Sequence, residues 1–283
     1  MQSPINSNEG FNRSASRQLA IYALVAVGAF VLLMLSLNFA ASLTSTSTDG
    51  VAGAVDVENN EITAYLRQDP PELNTMGAAD AVSGIVLGHV MEGLLRYDEH
   101  GQIVAGLAQR WEVNGDTATF WIRENARWSN GEPITAHDFE FAWKTTLAPS
   151  TASQYAFILY PLKNAEAANN GDVSIDDIGV RALDDKILEV TLEQPIAYFE
   201  KLVAFMTFSP VNQAFFESTN GRFAAEADSL LYSGPFMMTS WVHGASVRVE
   251  KNPYYWDQAR AKLNAINFAY VTDDTNTLLN LFK

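Results

Sequence analysis

No charged residue occurs between Arg17 and Asp49, and inside that gap residues 19–43 form an apolar run of 25 residues. A helix rises ~1.5 Å per residue, so roughly 20 apolar residues span a bilayer core. A secretory h-region is usually about 7–15 residues, and this run is long for one. Arg13 and Arg17 precede it, whereas Ser, Thr and Asp follow it. That asymmetry places residues 1–18 in the cytoplasm. Ala40, Ala41 and Ser42 supply the small residues that a signal peptidase accepts. Two readings therefore stay open, an uncleaved transmembrane signal-anchor and a cleaved signal peptide. Both export the rest of the chain.

The chain has 283 residues, with 33 Asp and Glu against 18 Lys and Arg, a formal net charge of −15. Such acidity argues against a nucleic-acid binder, which needs a basic face. Hydrophobic residues make up 48% and charged ones 18%, enough apolar surface for a folded core. There is no cysteine. Disulfides, thiolate zinc sites and cysteine nucleophiles are excluded together, and so is the acylated cysteine that tethers bacterial lipoproteins.

Residues 44–60 (TSTSTDGVAGAVDVENN) lack periodicity and read as a flexible linker. Beyond them the pattern alternates between strand and helix. Residues 62–67 form a strand candidate, stopped by Asp69-Pro70-Pro71. Residues 81–95 carry apolar side chains at helical spacing. Asn114-Gly115 predicts a hairpin between residues 111–113 and 117–123. Thr135 opens a helix with Asp138 as its capping-box partner, Phe139, Ala142, Trp143 and Leu147 as one apolar face, and Pro149 at its end. Asp184-Asp185 marks a second hairpin, residues 196–206 a helix behind Pro195, residues 236–242 and 247–251 a third hairpin, and residues 265–271 a strand. A last helix begins at Asp273. It reaches Lys283 without glycine, proline or another stop signal, so the chain is expected to continue.

Catalytic patterns are missing: no G-x-S-x-G, no P-loop, no G-x-G-x-x-G, no H-E-x-x-H. The four histidines (89, 100, 137 and 243) have no metal-ligand spacing and read as surface or helix-face residues. No catalytic residue, no metal site and no cofactor is expected. The 16 Phe, 10 Tyr and 6 Trp suit a core, with some left to line a pocket.

The order of the motifs is specific. Glu92-Gly93-Leu94-Leu95 is followed by Gly106-Leu107-Ala108, Trp111-Glu112 and the block FWIRENARWSNGEPITAHDF at 120–139. PSTASQYA (149–156), LEVTLEQP (188–195), SGPF (233–236) and KNPYYWD (251–257) come next. This series resembles the family 5 extracytoplasmic solute-binding proteins, the oligopeptide-binding subunits of ABC importers, over residues 61–283. The resemblance implies an α/β fold of the periplasmic-binding-protein type II (cluster C-like), two lobes closing on a peptide. The first lobe would comprise residues 61–90 and 210–283, with a small inserted domain at 91–209. The second lobe would be missing here, and with it one wall of the cleft, so these 283 residues alone are expected not to hold a peptide. The implied partners are a peptide ligand, an importer permease and the inner membrane through residues 19–43, with the bulk in the bacterial periplasm and no nucleic acid.

The resemblance assigns Tyr155 to the ligand-facing side of the cleft. It assigns Arg67, Gln68 and Asp69 to the segment that contacts the bound chain. This sequence departs there, because Asp69-Pro70-Pro71 replaces a glycine-containing stretch and proline lacks the N–H needed for strand-like pairing. Trp128 and His137 belong to fold-making features, and Ser233-Gly234-Pro235 to a turn near a crossing. Other ligands stay open within the family (nickel, a sugar, an opine, murein peptide), as does a ligand-sensing domain of a larger membrane protein.

Overall fold

The computed structural model describes residues 54–270. The apolar run at 19–43 and the helix expected from Asp273 lie outside the described residues. Among the described residues no helix is long and apolar enough to cross a membrane. Along the chain run β1 (Val55–Asp56), β2 (Glu61–Leu66), α1 (Ala81–Val90), β3 (Leu95–Tyr97), β4 (Ile103–Ala105), β5 (Ala108–Asn114) and β6 (Thr117–Ile122). Then come α2 (Ala136–Leu147), α3 (Ala165–Asn169), β7 (Val180–Ala182), β8 (Ile187–Thr191), α4 (Phe199–Val203) and α5 (Gln213–Ser218), before β9 (Phe236–Val242), β10 (Ser246–Lys251) and β11 (Ala265–Tyr270).

Two larger sheets result. The first has the order β1-β2-β11-β10-β9, with β2 and β11 parallel and the other pairs antiparallel. Arg248 on β10 stitches it together. Its guanidinium donates to both carboxylate oxygens of Glu61 on β2, at 2.8 and 2.9 Å, and to Asn267 Oδ1 on the intervening β11, at 2.8 Å. The second sheet is antiparallel, in the order β5-β6-β8-β7, and β3 pairs with β4 beside it. In β6 the period of two is complete: Ala118, Phe120 and Ile122 are buried and their neighbours half-buried. Helix α2 covers that face with Phe139, Ala142, Trp143 and Leu147. Its capping box forms as expected, the Thr135 N–H donating to Asp138 Oδ2 at 2.7 Å.

Three local expectations are modified. The first hairpin pairs Asn114 with Thr117, so its loop is Gly115-Asp116. Gly115, at φ 65°, supplies the positive φ at the first loop position that a II′-type turn requires. Helix α1 ends at Val90 rather than near Leu95, because Met91 is extended. The chain there crosses residues 233–235: Gly234 N–H donates to Val90 O at 2.9 Å, and Ser233 Oγ bonds both Glu92 N and Glu92 O. The helix expected at 196–206 is cut to α4 and a short 3-10 turn, Met206–Phe208. Extended Phe205 swings Phe208 beneath Trp143, with ring centroids 4.9 Å apart, and Phe208 O accepts from Trp143 Nε1 at 3.0 Å. Tertiary packing overrides the helical period there.

Candidate functional site

In open α/β sheets ligands lie outside the carboxyl ends of parallel strands. Strands β2 and β11 end together here, Leu66 opposite Tyr270, and the β9–β10 turn closes the same edge. Arg67 and Gln68, immediately after β2, are exposed. Asp69 is half-buried and reaches along the edge to the hairpin turn. Its Oδ1 accepts from Trp241 Nε1 at 2.7 Å, and its Oδ2 accepts from Gly244 N–H at 3.0 Å and lies 3.2 Å from His243 Nδ1. A carboxylate can accept several such donors at once. It thus anchors a turn that lies 172 residues away in sequence.

A cavity of about 460 Å³ opens beside this anchor. Pro70, Pro71 and Asn74 form one wall, Phe223 and its neighbours a second, and Trp241 and His243 a third. Glu72 is also on the lining, and partial burial raises its pKa. Glu226 brings its Oε2 to 3.5 Å from His243 Nε2. Asp69 and Glu226 face opposite ring nitrogens, so the three cannot converge on one ion. Among the described residues no group of side chains is arranged to hold a metal.

Tyr155 occupies a different place. Its ring meets Phe157 at 5.9 Å and Phe205 at 5.8 Å, and both partners are exposed. Phe205 also lines a smaller cavity of about 210 Å³ with Tyr97, Gly88 and Met206. The sequence-derived residues thus fall into two groups, the strand-end turn and an aromatic face, and the cavity beside Asp69 does not include Tyr155.

At the other end of the first sheet lies Glu92, 5% exposed. Its carboxylate accepts from Tyr255 Oη and Trp256 Nε1, both at 2.6 Å, and from Arg260 Nη1 at 3.1 Å. Burial raises its pKa, and these donors oppose the rise. Arg123 stacks on the Trp256 ring at 3.6 Å. This node fixes the crossing rather than facing solvent.

Sequence reasoning missed Trp241, His243 and Glu226. His243 was visible only as a loop residue in a hairpin, and no spacing links it to Asp69. Trp128 is buried and donates to Asp138 Oδ2 at 3.3 Å, whereas His137 is exposed, 3.5 Å from Asp185 Oδ1.

The model of the bacterial extracellular solute-binding proteins, family 5, matches residues 102–283. The chain is 42% identical over 220 residues to the oligopeptide-binding protein OppA of Bacillus subtilis, covering 77% of this chain and 40% of that protein. It is similar to the solved structure of Listeria monocytogenes OppA bound to peptide, with a TM-score of 0.77 and 32% identity over 80% of this chain and 45% of that one. It is also similar to the unliganded open form of the periplasmic murein tripeptide binding protein MppA, known from Escherichia coli, with a TM-score of 0.74 and 30% identity over 80% of this chain and 44% of that one. The chain therefore spans less than half the length of these relatives.

Proposed function

The chain belongs to the family 5 bacterial extracellular solute-binding proteins, and on that premise we propose that it forms part of an oligopeptide receptor delivering peptides to an ABC importer. The observation that carries this reading is the likeness to a peptide-bound relative over 80% of this chain, at 32% identity and a TM-score of 0.77. The fold is the α/β architecture of type II periplasmic binding proteins. Residues 61–90 and 210–283 would form the first lobe and 91–209 the inserted domain. The first sheet, built from residues 55–66 and 236–270, and the second, from 108–191, support that division.

In this reading Arg67 and Gln68 meet the ligand, Asp69 shapes their turn as well as its own contact, and Tyr155 offers an aromatic face. Backbone capture of an extended peptide tolerates many sequences, with hydrated pockets for side chains. The role is binding, without catalysis, and the place of work is the periplasmic side of the inner membrane, with residues 19–43 as the tether. Calorimetry of the intact protein with mixed peptides of about 2–6 residues tests the reading. Saturable heat is expected, and complete absence of binding would overturn it. Likeness to a murein tripeptide binder favours a second reading, murein peptide as ligand. Binding of that tripeptide in preference to ordinary peptides would select it.

A further inference from the structure

The smaller cavity, about 210 Å³, is lined from the end of α1, from β3 and from the segment after α4, and its lining is divided. Leu87, Met91, Leu95, Ala204, Phe205 and Met206 make much of the wall apolar, whereas Arg96 and Arg260 both belong to it. The two guanidiniums share one oxygen, Glu92 Oε1, at 3.5 and 3.1 Å. That oxygen also accepts from Tyr255 Oη, and Oε2 is taken by Trp256 Nε1. Arg96 Nε is buried with no hydrogen-bond partner among the described residues, and Arg260 commits only Nη1, to Glu92 and Tyr255. Two cations thus face a single, already saturated carboxylate, and one positive charge is left unbalanced in a chain of net charge −15.

Gly88 adds an independent observation. It sits inside α1, where glycine costs stability relative to alanine. A Cβ there would meet nothing within 4 Å, so packing does not demand glycine. Gly88 lines the same cavity, and its missing side chain leaves that space open.

We propose that this cavity binds a small organic carboxylate with an apolar body, its oxygens on Arg96 and Arg260 and its body against Leu87, Phe205 and Met206. Guanidinium N–H groups match the two oxygens of a carboxylate, and the bonds are charge-assisted. One negative charge balances the surplus. A dianion such as phosphate exceeds it and leaves the apolar wall uncovered. The volume lies below the ~300–1,000 Å³ of pockets for drug-sized ligands, so the ligand is small. The site is separate from the peptide reading, because neither Arg67, Gln68 and Asp69 nor Tyr155 lines this cavity.

The test uses the intact protein with its methionine methyl groups labelled for NMR, and three probes: benzoate, its neutral isostere benzamide, and inorganic phosphate. Met91 and Met206 both line the cavity, and their resonances are assigned by their loss in Met91→Leu and Met206→Leu. Benzoate is expected to move both resonances saturably and to bind at least about tenfold more tightly than benzamide. Arg96→Gln is expected to weaken benzoate about tenfold and to leave benzamide unchanged. Glu92 keeps Tyr255, Trp256 and Arg260 in that variant, so its fold is retained. Gly88→Leu fills the cavity from α1 and is expected to abolish both shifts without lowering the melting temperature. Equal binding of benzoate and benzamide, equal shifts with phosphate, or full benzoate binding in Gly88→Leu overturns the site. Should one variant fail to fold, the other and the comparison of probes still decide. Peptide binding, present or absent, does not enter the result.

Discussion

Glu92 and Asp138 are both buried carboxylates, yet their surroundings ask different things of them. Glu92 is met by Tyr255, Trp256 and Arg260, with Arg96 Nε a further 3.5 Å from Oε1. Truncation would leave the buried Tyr255 Oη unpaired and take the acceptor from Trp256 Nε1 and Arg260. Breaking a buried charge pair costs about 3–5 kcal/mol, and Glu92→Ala is expected to lose that much in urea unfolding. Glu92→Gln retains the shape and some acceptor capacity, so it is expected to lose less. Equal losses in the two variants would instead make the charge, rather than the shape and the remaining acceptor, the whole source. Asp138 accepts only from uncharged donors, Trp128 Nε1, Thr135 N–H and Thr135 Oγ1, and burial lifts its pKa from the ordinary 3.8 to about 6. The native state therefore holds its proton more tightly than the unfolded chain does. The group's contribution is most favourable below about pH 4, declines as pH rises to 6, and is constant above. At ~1.4 kcal/mol per pKa unit the decline is about 3 kcal/mol. Unfolding of the native protein and Asp138→Asn at pH 4 and pH 7 measures it. The stability of the native protein relative to the variant should fall between the two values, and a constant difference would rule the assignment out.

The crossing of residues 233–235 over the end of α1 shows why one backbone position admits only glycine. A Cβ on Gly234 would lie 2.7 Å from Val90 C and 2.8 Å from Met91 N, both backbone atoms that cannot step aside. Gly234→Ala is expected to cost more than 3 kcal/mol or to prevent folding, a tail reached by overpacking and strain together. Circular dichroism and thermal melting would check it, and a near-native melting temperature would refute the close approach. The same element marks the boundary of what could be read from sequence. Strands β5, β6, β9, β10 and β11 and helix α2 were legible, because local period and turn chemistry determine them. Residues 91–95 and 204–208 were not, because the pull on them is tertiary: Ser233 and Gly234 on the first, Trp143 on the second. The site was legible in part. A strand end followed by Asp-Pro-Pro could be located in sequence, but its docking on Trp241 and His243 joins residues 172 and 174 apart, for which no periodicity exists.

At the scale of the whole chain, the acidic side chains Asp69 and Glu72 on the cavity lining and the net charge of −15 act in the same direction. A field of that sign attracts cations over a distance set by salt, about 30 Å at 0.01 M and ~10 Å at 0.1 M. Contacts within the site are too short-ranged to be screened as strongly. Net charge should therefore appear in the association rate, while the dissociation rate follows the local fit. On the proposed receptor reading, a lysine-containing tripeptide is expected to associate with the intact protein roughly tenfold more slowly at 0.3 M than at 0.01 M salt. An acidic tripeptide of the same length should show the opposite trend, and dissociation of both should change little. Stopped-flow fluorescence, with the indoles as reporters, separates the two rates. Identical salt slopes for the two peptides would mean that the acidity serves solubility alone and takes no part in gathering the ligand.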